Sequence, residues 1–499
     1  MIDLKQFEVW FLTGSQHLYG EETLKQAAAH AAEIAHYLNH VPQIPVTVVF
    51  KPIVKTPEEI HAAIAEANQA PSCIGIITWM HTFSPGKMWI RGLGILRKPL
   101  LHLHTQYNRD IPWETIDMDF MNLNQSAHGD REFGHIVSKL RINRKVVTGY
   151  WKQEDVIEQI NVWTRAAAAW HDWQGARFAR FGDNMRNVAV TDGDKVDAEA
   201  KFGFSVNTYA VGDLVEVING VSNAQINALI DEYEQMYTLS TAVKTGGEKH
   251  QHVRDAAQIE IGLRNFLVAG GFKGFSNTFE DLHGMKQLPG IATQRLMQAG
   301  FGYAGEGDWK TAALVRAAKV MAAGMPGGNA FMEDYTYHFD PENTLVLGAH
   351  MLEVDPALAN AKPSLEVHPL GIGGKDDPAR LVFDAAAGRA LNASLVDMGN
   401  RFRLVVNDVQ GQAPQRQLPK LPVARVFWKP LPDMQTACSA WIYAGGAHHT
   451  VYSQNLSVQH FQDFAELADI ELLHIGEHTG LAGFIKEIRW NDRFYHNIH

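Results

Sequence analysis

Residues 7–20 read FEVWFLTGSQHLYG, an apolar run that breaks at a glycine and continues into hydrogen-bonding and aromatic side chains. Further short apolar runs occupy 46–50, 73–79, 100–103 and 146–149, and helical patterns fill the gaps between them. Residues 22–38 are alanine-rich with helical spacing. Residues 56–67 open with Thr56-Pro57-Glu58-Glu59, a capping box with proline at the first helical position. Repeated βα units of this kind imply a parallel sheet covered by helices on both faces. Ligands of such sheets bind beyond the carboxyl ends of the strands. The segments 14–20, His81-Thr82-Phe83-Ser84-Pro85 and His104-Thr105-Gln106 are therefore the expected walls of a polyol pocket.

A second α/β segment begins near Ala176, where residues 176–195 suggest two short strands around a turn, and it runs to about 325. Residues 223–236 and 252–266 have helical apolar spacing. Asp308 is the expected N-cap of a helix carrying Leu314, Val315, Ala318 and Met321 on one face. From 326 the pattern changes to alternating strands and turns, the texture of a β-rich domain. Domains are expected at 1–175, 176–325 and 326–499.

Composition narrows the function. A formal charge of −11 over 499 residues, with no long Lys/Arg cluster, argues against a nucleic-acid surface. Cys73 and Cys438 are the only cysteines, so a thiolate cage and a CxxC pair are both excluded, and a reducing, cytoplasmic setting is expected. The first sixteen residues mix charge into the apolar run, unlike a signal peptide. No run reaches the roughly 18 apolar residues of a membrane span.

Three residues and one of an adjacent histidine pair carry the chemistry. Glu306 lies between Gly305 and Gly307, where a tight loop can bring its carboxylate against a ligand. Glu333 alternates with Phe331, Tyr335, Tyr337 and Phe339, an acid on an aromatic face whose desolvation a cation would offset. His350 ends a strand over 344–349 and points inward by parity with Val346 and Leu352. His448 and His449 follow a strand expected at 441–444 and a Gly-Gly pair; parity on extended chain lets one of the two face the site. Two carboxylates and two imidazoles suit an octahedral ion such as Mn²⁺ better than a tetrahedral zinc. Gly371 to Asp376 lacks the spacing of a phosphate loop. The segment at Asp192-Gly193-Asp194 lacks the glycine and glutamate of a calcium loop.

Seven segments together resemble the bacterial L-arabinose isomerases: residues 13–20 (TGSQHLYG), 118–129 (MDFMNLNQSAHG), 279–284 (FEDLHG), 305–310 (GEGDWK), 332–339 (MEDYTYHF), 371–380 (GIGGKDDPAR) and 444–450 (AGGAHHT). The resemblance implies two Rossmann-like parallel-sheet α/β domains followed by a barrel-like C-terminal domain, related in fold to L-fucose isomerase. It implies one Mn²⁺ per subunit on Glu306, Glu333, His350 and His449, with Glu306 and Glu333 catalytic. Sugar contacts would come from Gln16, Leu18, Tyr19, Phe83, Gln125, His128, Met185, Phe279, Met351 and Ile372. The implied reaction takes L-arabinose to L-ribulose, and D-galactose to D-tagatose less well, through a metal-stabilised enediol, in a hexamer whose pockets a neighbouring subunit completes. Two other classes compete: a metal-dependent hydrolase could use the same ligands, whereas a non-catalytic sugar-binding protein would not need two inward glutamates.

Overall fold

The computed structural model describes residues 2–371 and 373–496, arranged as two compact units. One unit comprises residues 2–171 with 462–469, the other 172–461 with 470–496.

The N-terminal unit holds five strands, β1 (Glu8–Gly14), β2 (Thr47–Phe50), β3 (Cys73–Met80), β4 (Leu100–His104) and β5 (Lys145–Thr148). They form one parallel sheet in the order β2-β1-β3-β4-β5. All eight residues of β3 are buried, as expected of a strand covered on both faces. The helix Gly20–His40 buries Ala27, Ala31, Ile34, Ala35 and Leu38 at helical spacing. The helix Pro57–Gln69 starts at Thr56, whose hydroxyl accepts from the Glu59 amide at 3.1 Å. The reciprocal bond differs from the expected box, because the Glu59 carboxylate accepts from the Lys55 amide at 2.6 Å. The chain passes from β1 outward to β2 and returns to β3 on the other side of β1, so the topological switch lies between β1 and β3.

The second unit opens with β6 (Arg177–Phe181) and β7 (Ser205–Tyr209), followed by β8 (Thr238–Leu239), β9 (Gly274–Asn277) and β10 (Gly302–Ala304). Four of these make a parallel sheet in the order β10-β9-β6-β7. The second strand expected within 176–195 is not formed: residues 189–191 are a single 3₁₀ turn, and Asp194 instead caps the helix Lys195–Phe202. The helices Asn223–Met236 and His250–Ala269 lie where apolar spacing placed them. Asp308 caps Trp309–Met321, but that helix is buried almost all round, not on one face alone.

Then come β11 (Asn329–His338), β12 (Leu345–Ala349), β13 (Ser364–Val367), β14 (Ala379–Val382), β15 (Gly388–Asp397), β16 (Phe402–Gln412), β17 (Val426–Pro430), β18 (His449–Ser453) and β19 (Glu471–Ile475). Antiparallel pairing runs β15-β18-β11-β12-β17-β16, and a ten-residue β15–β16 ladder closes the ring into a barrel. The fold is thus two parallel-sheet α/β regions followed by a closed β-barrel. Two expectations for this region need correction. Residues 441–444 are the last turn of the helix Met434–Ala444, which starts at the Asp433 cap and ends on left-handed Gly445. The strict alternation through Glu333 also fails, because a register shift between Asp334 and Thr336 leaves Tyr335, Tyr337 and Phe339 exposed.

Candidate metal centre and sugar-contact residues

Glu306 follows β10 in a left-handed conformation, φ +62°, which is uncommon for a residue with a Cβ. Its glycine neighbours make that loop possible for different reasons. A Cβ on Gly305 would stand 2.9 Å from His350 Cε1, and one on Gly307 would stand 2.6 Å from the Asn184 backbone, besides being strained at φ +80°. The loop therefore lies flat against the imidazole of His350, which follows β12.

Three side chains converge: one ligand atom each from Glu306, His350 and His449 lie within 4.8 Å of one another. Glu306 Oε2 is 3.7 Å from His449 Nε2. Glu333 stands beside them, its Oε2 4.0 Å from His350 Nε2. The barrel places it there. Glu333 on β11 is paired with Ala349 on one side and with His449 on β18 on the other, so Glu333 and His449 leave the sheet on the same face. Phe331, two residues earlier on that face, packs its ring 4.6 Å from His350 and 4.9 Å from His449.

Each imidazole is oriented from behind by a buried carboxylate. Glu353 takes His350 Nδ1 at 2.7 Å and the Leu352 amide at 3.1 Å. Asp308 takes His449 Nδ1 at 3.0 Å while still accepting from the Thr311 hydroxyl at 2.7 Å. Those bonds leave both Nε2 atoms facing the glutamates, the arrangement found behind metal-bound histidines. His449 Nε2 is fully buried and has no hydrogen-bond partner among the described residues. An orphaned, desolvated nitrogen facing a carboxylate is costly unless a cation sits between them, so the donor set fits a divalent ion.

Charge reinforces this. Burial opposes ionisation of Glu306, yet His448, His449 and His350 hold its carboxyl below the usual range. Burial likewise opposes the charge on Asp308, but Lys310 and His449 hold it well below the usual range. His350 is disfavoured as a cation by burial and is nevertheless raised by Glu353, Glu333 and Glu306. His448 is raised by Glu306, with burial opposing and Glu333 assisting. His448 Nε2 lies 3.8 Å from Glu306 and 4.0 Å from Glu333. It precedes β18, so strand parity does not turn it away from the site as sequence reasoning expected.

The sugar-contact residues divide between the units. In the second unit, Phe279 and Met351 line a cleft with Glu306 and His350, and the Met185 amide donates to the Glu306 carbonyl at 2.9 Å. Ile372 lies outside the described residues. In the N-terminal unit, Gln16, Leu18 and Tyr19 follow β1, and Leu18 is 81% exposed. Phe83 after β3 stacks on His128 at 5.0 Å, and the Gln125 amide donates to the His81 carbonyl at 2.9 Å. Ser15 and Thr82 join the two loops through a 2.7 Å hydroxyl bond. The expected wall at 81–85 is only partly available, since His81, Thr82 and Ser84 are buried within the unit. Sequence reasoning missed Glu353 and the orienting role of Asp308. The usable signal was their spacing, three residues after His350 and two after Glu306.

Family models of L-arabinose isomerase match the whole succession: the N-terminal domain over residues 3–175, the central domain over 177–324 and the C-terminal domain over 328–471. The chain belongs to the L-arabinose isomerase family. That family is one of aldose–ketose isomerases. The chain is 62% identical over 496 residues to the L-arabinose isomerase of Herpetosiphon aurantiacus, covering 99% of each chain. It is 57% identical over 495 residues to that of Geobacillus stearothermophilus, again covering 99% of each. Among the described residues no helix is long and apolar enough to cross a membrane.

Proposed function

We propose that this chain converts L-arabinose to L-ribulose, and D-galactose to D-tagatose less well, as a cytoplasmic, Mn²⁺-dependent hexamer with one ion per subunit. The observation that carries the reading is the unpartnered, buried His449 Nε2 opposite Glu306, set in a chain of this family. Glu306, Glu333, His350 and His449 would hold the ion. Bound there, the ion would supply Lewis-acid chemistry at the carbonyl end of the open-chain sugar.

The protein's own groups supply the proton path. Glu306 and Glu333 carry the carboxylates that face the Nε2 atoms of His449 and His350, and we assign to them removal of the C2 proton and its return to C1. Glu353 and Asp308 keep His350 and His449 in the tautomer that presents Nε2. Phe331, packed against both rings, limits their rotation. Sugar hydroxyls are assigned to Gln16, Gln125 and His128. Leu18, Tyr19, Phe83, Met185, Phe279, Met351 and Ile372 are assigned the remaining sugar contacts. Exposed Ile111, Trp113, Met118 and Met121 on the N-terminal unit support burial of that surface in an assembly.

A ketose-formation assay over a panel of aldoses, before chelation, after chelation and after adding Mn²⁺ back, tests the reading. Activity is expected to be highest on L-arabinose, lost on chelation and restored by Mn²⁺. Full turnover in chelator-treated protein would remove the metal from the scheme.

A further inference from the structure

The barrel lines a partly open cavity of about 310 Å³ that includes none of the proposed metal ligands. Every strand of the closed ring contributes to its wall: Asp334 from β11, Val346 from β12, Asn392 from β15, Asn407 from β16, Trp428 from β17 and Thr450 from β18. The helix Met434–Ala444 covers one end with Cys438 and Trp441. Register separates this space from the metal centre. Asp334 is paired with Gly348 and Thr450 with Met332, one residue out of step with the Glu333–His449 pair, so the two sets face opposite sides of one sheet. His448, before β18, lines the cavity and also approaches Glu306.

The lining has a definite chemistry. Trp428, Trp441 and Tyr337 supply aromatic surface. Asp334 lines the cavity, and its Oδ2 accepts from the Tyr337 hydroxyl at 3.2 Å. Asn392 Oδ1 accepts from the Thr450 hydroxyl at 3.2 Å, and the Asn392 amide nitrogen has no hydrogen-bond partner among the described residues. The volume falls at the lower end of the roughly 300–1,000 Å³ of small-molecule pockets, whose mark is apolar walls with a few placed polar groups. A compact ligand must therefore donate to Asp334, accept from Asn392 and lay an apolar face on aromatic rings. An ammonium ion meets only the first and last demands, since it has no acceptor for the Asn392 amide. A hydroxyl both donates and accepts.

We propose that the barrel lumen is a second small-molecule site, distinct from the metal centre, and that it takes a monosaccharide in its closed ring form. Ring C–H groups meet the aromatic surface, and adjacent hydroxyls meet Asp334 and Asn392. This site does not depend on the isomerase reading, because none of the proposed metal ligands lines it.

Cys438 serves as the reporter. It lines the cavity and is partly exposed, whereas Cys73, the other cysteine, is fully buried. Native protein is treated with methyl methanethiosulfonate, and each cysteine is followed by peptide mass spectrometry, with and without methyl β-L-arabinopyranoside, a glycoside locked as a ring. Modification of Cys438 is expected to slow about tenfold when the glycoside is at ten times its dissociation constant. The slowing should be equal in Mn²⁺-loaded and chelator-treated protein, with Cys73 unaffected. In Asn392→Ala, with an unchanged circular dichroism spectrum, the half-protecting concentration should rise about fivefold, the loss of one neutral hydrogen bond. Three results would overturn the proposal: Cys438 inert to the reagent, which closes the lumen to small molecules; protection that disappears on chelation, which returns the ring to the metal centre; or protection by tetramethylammonium and not by the glycoside, which makes the lumen a cation cage.

Discussion

Glu333 on β11 and His449 on β18 are direct cross-strand partners, and both side chains leave the barrel wall on the face that carries His350 and Phe331. A paired carboxylate and imidazole on a rigid ladder keep their spacing when either charge changes, as a site that handles protons needs. Removing the basic oxygen while keeping the shape isolates its chemical role.

Glu306→Gln and Glu333→Gln are accordingly expected to lower turnover by at least about 10²-fold each, the lower range for losing a general acid or base. Metal content measured on the same samples separates chemistry from binding. Near-native turnover in either variant would release that glutamate from the assigned role.

The adjacent histidines separate by burial. His449 Nε2 is fully enclosed and its Nδ1 is tied to Asp308, while His448 is about one-third exposed and carries no such tether. In a Mn²⁺ titration followed by calorimetry, His449→Ala should weaken binding far more than His448→Ala. A reversed order transfers the ligand assignment to His448.

Gly305 tests the loop. A methyl group there would stand 2.9 Å from the His350 ring, so Gly305→Ala should displace the imidazole and weaken Mn²⁺ binding. Gly212, in the helix Val211–Asn219 with open space around its Cβ direction, is the control, and Gly212→Ala should bind Mn²⁺ normally. Equal affinities in the two variants would show that His350 moves without consequence.

The sequence made the regular parts legible where one period dominates. The runs at 73–79 and 100–103 became buried parallel strands, and the 223–236 spacing became the helix Asn223–Met236. The last turn of Met434–Ala444 misled because Trp441, Ile442 and Tyr443 favour strands in isolation, while the Asp433 cap that starts the helix lies eight residues earlier. The bulge after Asp334 was illegible because it depends on pairing with β12, a partner that local alternation cannot specify. Glu306, Glu333, His350 and His449 stood out as acids and imidazoles in apolar or glycine-rich settings. Glu353 and Asp308 did not, since their function exists only once two distant histidines reach them.

Acid should destabilise the fold through His81. Its imidazole is fully buried 2.7 Å from His30 Nδ1, and burial, with His30 adding to it, pushes its pKa down to about 3. The ring stays neutral in the folded chain and ionises near 6.5 when unfolded, so the unfolded state takes up the extra proton and stability falls as pH drops from 6.5 toward 3. Between pH 7 and pH 5 this one group should remove about 2 kcal/mol. Urea unfolding of wild type and His81→Gln at both pH values measures it. An identical pH dependence in the two proteins would assign the acid sensitivity elsewhere.

The proton path is tested by isotope. If Glu306 or Glu333 takes the C2 proton and returns it to C1, the hydrogen resides for a time on a carboxyl group. Glu333 is 22% exposed, so solvent reaches it and exchange competes with return. Turnover of L-arabinose in D₂O should then give L-ribulose labelled at C1, read by NMR early in the reaction before back-conversion spreads the label. Partial labelling measures how well the pocket shields the acid, and Glu333→Gln should alter that fraction if Glu333 is the carrier. Complete retention of the original hydrogen at C1 would mean that it moved directly between carbons as hydride. The two glutamates would then hold the metal and move protons between O1 and O2 only.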